Sequence, residues 1–356
     1  MIYRLFSLSL SFLILFSPLF SSEIEASAPR SEDLRARRFL QDSLLKFQRS
    51  SSQREWEQGF SQHLLDEFRH LSGSGAGRQA LCQGFENMDP ERLAVFRLLL
   101  EEEPEAQLLG CNQFLLDSLD QFIQERVELL QQRRLRIPGW PKTKARFGPS
   151  QEEWVSTQGG PVYFNGGLPH GHFALTFDDG PHPQRTPQIL EALKEHQTLA
   201  TFFVLGQNAQ AHPRVLREIL HHQHGLGGHT QSHPDLKRLS FASAVAEIQD
   251  GFASISGIVG FSDPFFRFPY GSRTSRLQDY LREQNIATFF WNVDTLDWKI
   301  KDPLALFDYA LEQVGKVDRG IILFHDIHPQ TAAIMPDFLE ALAERQLQSV
   351  VFRAAD

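Results

Sequence analysis

The chain has 356 residues, 41% of them apolar and 22% charged, the balance of a protein that buries a core and not of a disordered one. Its formal net charge of -9 excludes a nucleic-acid binder, which needs a basic face to neutralise phosphates, and gives anionic membranes nothing to attract. The length allows one large domain with a smaller one beside it.

Met1 to Arg4 carry a small positive end, and residues 5–20 are apolar apart from serines and Pro18. That is the pattern of a signal-peptide core, and it falls short of the roughly 20 apolar residues of a spanning helix. A leader over 1–28 and an exported chain, periplasmic or secreted, are expected. From 31 to 136 the apolar period is helical: Trp56, Phe60, Leu64 and Phe68 recur every fourth residue, and Leu115, Leu119, Phe122, Val127 and Leu130 trace a second stripe. Each segment offers one apolar face to a helical core. Asp89-Pro90 reads as a helix start, with Asp as cap and Pro at the first helical position, and 72–77 as a connection. A small all-α domain follows from this, its aromatic stripes being core. Two roles are open to it: docking to a partner protein, or restricting access to a site elsewhere. The two cysteines, Cys82 and Cys111, would pair in an oxidising compartment and close a loop of about 30 residues, worth about 3.5 kcal/mol in the chain-entropy model. In the cytosol they would be two buried thiols.

A stretch rich in Pro and Gly, 137–171, breaks the periodicity and reads as a linker, with Val162-Tyr163-Phe164 as one short strand inside it. From 172 to 356 short apolar runs alternate with helical patterns. The expected strands are 173–177, 200–205, 265–268, 287–293 and 321–324, and the helices begin near Thr186, Pro213, Ala242, Pro303 and Thr331. Such alternation implies parallel strands with crossover helices, an α/β sheet or barrel whose chemistry gathers at the C-terminal ends of the strands.

The residues at those strand ends form a chemical set. Thr176-Phe177-Asp178-Asp179-Gly180-Pro181 puts two carboxylates side by side, and the Gly-Pro that ends the strand lets both approach one site. Two anions that close need a cation near them. His229-Thr230-Gln231-Ser232-His233 offers two imidazoles on one face if the backbone turns helically, while His221, His222 and His224 nearby read as a solvated helix end. Asp179, His229 and His233 together supply two nitrogens and one oxygen, a ligand set that leaves a zinc position open. Asp178 is then the natural base and His325 the natural acid, its imidazole oriented by Asp297. Arg267 can pair with Asp178, and the Tyr270 backbone N–H can help hold an oxyanion.

The ordered motifs TFDDGP, HTQSH, RFPY, DTLDW and LFH, with Ala200-Thr201-Phe202-Phe203-Val204 between them, resemble the polysaccharide deacetylase family, the NodB-homology carbohydrate esterases, over about half the chain. The resemblance implies a distorted (β/α) barrel of the NodB-homology type over 172–356, behind the small all-α domain. It implies zinc or another divalent ion on Asp179, His229 and His233, with Asp178 as base, His325 as acid, Arg267 and Asp297 beside them, and Tyr270 at the oxyanion. Trp298 and Leu323 would form an apolar wall for an acetyl methyl group. The activity it implies is removal of N-acetyl groups from an N-acetylglucosamine-containing glycan, peptidoglycan first and chitin-type oligomers second. An O-acetyl polysaccharide esterase and a non-catalytic glycan-binding protein are the alternatives.

Overall fold

The computed structural model describes residues 31–50, 62–89, 92–93, 95–96, 109–135 and 149–355. The expected leader, and Trp56 and Phe60 of the first apolar stripe, lie outside these residues. No helix among the described residues is long and apolar enough to cross a membrane.

The N-terminal part contains helices α1 (Ser31–Arg49), α2 (Gln62–Gly73), α3 (Gly75–Glu86) and α4 (Asn112–Leu135). Helix α1 starts on Glu32 and Asp33 and ends on Lys46 and Arg49, charges that complement the helix dipole at both ends. Ser74 caps α3 by accepting from the Gly77 amide, and Asp89 accepts from the Arg92 amide at 3.0 Å, as a capping residue does. Phe39, Phe68, Leu81, Phe85 and Phe96 pack into one cluster, and a disulfide joins Cys82 on α3 to Cys111 just ahead of α4. Helix α4 leaves that cluster. Its Leu130 enters the core beneath the sheet, and its Leu119, Phe122 and Ile123 pack with Ala333.

The second part runs β1 (Gln151–Val155), β2 (Val162–Tyr163), β3 (His172–Asp178), α5 (Arg185–Glu195), β4 (Thr201–Val204), α6 (Gly206–Ala211), α7 (Pro213–His221), β5 (Gly225–Gly228), α8 (Phe241–Val259), β6 (Phe265–Phe266), α9 (Ser275–Glu283), β7 (Ala287–Phe289), β8 (Val293–Asp294), α10 (Pro303–Gly315), β9 (Gly320–His325), α11 (Pro329–Glu344) and β10 (Gln348–Ala354). The strands follow the order β1-β10-β3-β4-β5-β6-β7-β2, with β9 between β3 and β8. All the pairings are parallel, which makes this an α/β fold. Strand β9 runs along β3 from Phe173 to Asp178. On the other edge β10 pairs with the first half of β3 and β4 with the second, so that edge of β3 is divided between two neighbours.

Strand β3 shows how the sequence sets the site. Phe173, Leu175 and Phe177 face the helices in the largest core cluster, whereas Ala174 faces the opposite cluster of Phe203, Phe265, Phe289 and Phe352. Side chains alternate along a strand, so Thr176 and Asp178 continue the Ala174 face. The stretch expected as a linker contributes β1 and β2 to the sheet. The run expected over 287–293 divides into β7 and β8, which join different neighbours.

Candidate metal centre and catalytic site

Asp178 and Asp179 end β3, and alternation would send them to opposite faces. The backbone of Asp179 turns left-handed, φ 75, and that swings its carboxylate round to the side of Asp178. The turn is held by Asn208, whose side chain donates to the Asp179 carbonyl at 2.7 Å. Gly180 is required here by close approach, since a Cβ would sit 2.0 Å from the Asp326 carboxylate.

His229 and His233 follow β5 on a loop, not on the helical turn expected from their spacing. Thr230 and His233 are both left-handed, φ 76 and 63, and these bends bring the rings to 5.1 Å. Glu247 of α8 anchors the loop by accepting from the amides of Gln231 and Ser232 at 3.1 and 2.9 Å. His229 Nδ1 donates to the Arg267 carbonyl at 2.7 Å, and His233 Nδ1 lies 3.1 Å from the Tyr270 hydroxyl. Each ring therefore keeps Nε2 for the centre, the arrangement in which an outer hydrogen bond fixes a ligand's tautomer. Asp179 Oδ1 lies 3.4 Å from His229 Nε2 and 3.3 Å from His233 Nε2, and one donor atom from each of the three side chains falls within 4.8 Å of the others. That oxygen is buried with no hydrogen-bond partner, an unfavourable state unless a cation satisfies it. Burial pushes the Asp179 carboxyl up, but the His233 and His229 imidazoles and His325 outweigh it and hold it well below the usual carboxylate range. The donor set fits a divalent ion.

Asp178 lies 3.8 Å from His229 Nε2 and receives Arg267 Nη1 at 2.7 Å. Arg267 is wholly buried; it also donates to Thr176 Oγ1 at 2.9 Å and to the carbonyls of Phe289 and Phe290 at 3.3 Å. Its guanidinium lies 4.2 Å from the centre of the Phe203 ring. Burial lowers its pKa against the opposing pull of Asp178, yet a guanidinium stays charged in proteins.

On the other side of Asp178, β9 ends at His325, which pairs in register with it. Asp297 Oδ1 lies 2.7 Å from His325 Nδ1, and its Oδ2 accepts from the His325 amide and the Thr331 hydroxyl, each at 2.7 Å. Burial acts downward on His325, but Asp297 outweighs it and raises the imidazole to about 10. Burial acts upward on Asp297, and His325 holds it at about 2. The imidazole is thus a cation with Nδ1 engaged, and its other nitrogen is the one left to meet a substrate.

The structure brings Asp178, Asp179, His229, His233, Arg267, Tyr270, Asp297 and His325 to one end of the sheet. Tyr270 is left-handed, φ 58, and its hydroxyl meets His233, a contact its sequence position did not suggest. Leu323 is buried on β9. Trp298 is buried too, but in the cluster built by the N-terminal helices. His224, expected at a solvated helix end, is buried and receives the Ala200 amide at 3.1 Å on Nδ1. Burial, with His222 and Arg353 adding to it, lowers its pKa to about 3, so it is a neutral core residue. Sequence reasoning missed Thr176, Asn208, Glu247, Thr331 and Asp326. Asp326 adjoins His325 and receives the Thr186 hydroxyl; burial raises its carboxyl to about 7. The adjacency of Asp326 to His325 was the one signal in the sequence that pointed to any of these.

An α/β chain with paired carboxylates, two converging imidazoles and an acid–histidine pair at its strand ends has the make-up of a hydrolytic centre. Residues 165–289 match the polysaccharide deacetylase family. The chain is 33% identical over 164 residues to a chitooligosaccharide deacetylase of Azorhizobium caulinodans, which covers 46% of this chain and 77% of that protein. It belongs to the polysaccharide deacetylase family. To the peptidoglycan-N-acetylmuramic acid deacetylase of Bacillus subtilis it is 38% identical over 178 residues, 50% of this chain and 37% of that protein. The solved structure of a Bdellovibrio bacteriovorus peptidoglycan deacetylase matches at a TM-score of 0.76 and 28% identity, over 92% of this chain and 96% of that chain. That coverage takes in N-terminal helices as well as the sheet. The chain spans 37% to 50% of the length of the first curated relatives it matches.

Proposed function

We propose that this chain is an exported, metal-dependent hydrolase that removes N-acetyl groups from peptidoglycan. The observation that carries the reading is the convergence of Asp179, His229 and His233 beside an arginine-held Asp178 and a protonated His325. Asp179, His229 and His233 would hold the ion, zinc being the first expectation from two nitrogens and one oxygen; when bound it supplies Lewis-acid polarisation of the acetamide carbonyl and a more acidic water.

The chain's own groups account for the proton movements. Asp178, aimed by Arg267, accepts the proton of the water that attacks the acetyl carbon. The Tyr270 main-chain N–H supports the negative charge that develops on the carbonyl oxygen. His325 donates its proton to the leaving nitrogen as the carbon–nitrogen bond breaks, so acetate and a free amine are released. Leu323 of β9 would bound the space for the methyl group, whereas Trp298, expected beside it, packs with the N-terminal helices instead. Peptidoglycan is preferred over chitin-type oligomers because a solved relative that matches through both halves of the chain is a peptidoglycan deacetylase.

The test is acetate release by the purified protein from peptidoglycan, from N-acetylglucosamine oligomers and from an O-acetylated xylan, before and after chelation and with zinc restored. Release from peptidoglycan that chelator abolishes and zinc returns is the expected result. Release from the xylan alone would make the chain an O-acetyl esterase, and none from any polymer with ion bound would make it a glycan-binding protein.

A further inference from the structure

The loop between β8 and α10 carries Asp297 inward and its neighbours outward. Asp297 is fully buried against His325, whereas Leu296 and Trp298, on either side of it, join the cluster of Phe39, Phe68, Leu81, Phe85 and Phe96 from the N-terminal helices. Leu296 is left-handed, φ 52. A residue with a side chain is strained in that region and persists only where its surroundings over-determine it. Here the Asp294 carboxylate receives the Leu296 amide at 3.0 Å, and the helical cluster receives the side chain.

Two polar ties reinforce the apolar ones. The Lys299 ammonium donates to the Ser50 carbonyl just beyond α1. Arg126 of α4 pairs at 3.1 Å with Asp302, which caps α10 by accepting from the Leu304 and Ala305 amides. From inside, Gln330 and Lys301 donate to the Asp297 carbonyl at 2.7 and 3.3 Å. The catalytic half thus fixes the inner side of the loop, and the N-terminal helices hold side chains on its outer side from 296 to 302.

We infer that the N-terminal helical unit is a positioning element of the acid site, bracing the 294–302 loop so that Asp297 holds His325 in place. The inference rests on reading His325 as the acid. It assigns the helices a part in turnover itself, where docking and restriction of access leave the chemistry untouched. A small misplacement of a catalytic group costs rate more than binding, so loosening the loop lowers kcat and spares KM.

The experiment uses the full chain carrying Lys299→Met with Arg126→Gln, and as a conservative control Lys299→Arg with Arg126→Lys. Amide hydrogen exchange over 294–301 is expected to rise about tenfold in the first variant. Its kcat on soluble peptidoglycan fragments is expected to fall about tenfold, with KM unchanged within about twofold; the control keeps both near wild type. Unchanged exchange overturns the bracing. Faster exchange with unchanged kcat overturns the positioning role and leaves the helices a scaffold. A wild-type chain that releases no acetate, in which the variant still loosens the loop, retires the deacetylase reading and leaves the bracing standing.

Discussion

Asp297 commits both carboxylate oxygens to His325 and Thr331, and the charges of the pair explain each other. A folded value of about 10 for His325, above the unfolded value of about 6.5, means that protonation favours the fold. That stabilisation is complete below about 6.5 and is lost as pH rises through the folded value. Asp297 behaves oppositely. Held at about 2, it stabilises the fold above about 3.9 and ceases to as pH falls through its folded value. Asp297→Asn keeps the shape and removes the charge. With that charge gone, burial acts on the His325 imidazole with less opposition; if His325 is the acid, the alkaline limb of the pH–rate profile should move down to about 6.5 or below, with kcat at pH 8 lowered about thirtyfold or more. A wild-type limb already lying there, unmoved by the substitution, would take Asp297 out of this role.

Among the elements, β5 is one whose sequence conceals it. Glycine weakens strands and marks loops, so Gly225-Leu226-Gly227-Gly228 suggested no more than a place where a strand could end, yet all four residues are buried in the sheet. Packing supplies the reason: a Cβ at Gly227 would lie 2.8 Å from the Phe265 carbonyl and 2.9 Å from the Phe203 ring. Gly227→Ala is therefore expected to cost about 1–3 kcal/mol, read as a lowered urea midpoint with the slope retained. A midpoint equal to wild type would mean that both the ring and the Phe265 backbone yield freely. The strands ending in Asp178 and His325 were legible because their flanks are apolar and the chemistry follows at once. Strands β1 and β10 were not, since β1 sits in a Pro- and Gly-rich surround and β10 has no motif behind it. The residue types of a candidate ligand set could be read from the sequence, but the geometry that brings Asp179, His229 and His233 together could not. Left-handed turns at Asp179, Thr230 and His233 are a tertiary outcome, as is the burial of Trp298 with a helical unit that lies far from it in sequence.

At the scale of the molecule, the two halves share a core. Leu130 of α4 lies with Ile322, Phe324 and Phe338 in the cluster beneath the sheet, and Arg133 of the same helix reaches Asp308 of α10 at 2.7 Å. Arg185 of α5 pairs with Asp120 of α4 at 3.5 Å, so helix α4 belongs to both halves. A chain joined in this way should unfold as one unit, and calorimetry should record a single transition, although two-part chains often give two. The Cys82–Cys111 disulfide lies wholly in the helical half, its partners 29 positions apart in sequence. Reducing it removes about 3.5 kcal/mol in the chain-entropy model, and for a chain of this length that lowers Tm by about 5 °C. If the halves are coupled, reduction moves the one transition whole, and acetate release is lost at the same temperature as helix content. If they are independent, reduction splits off an early transition and activity survives it, which would count equally against the brace on Asp297.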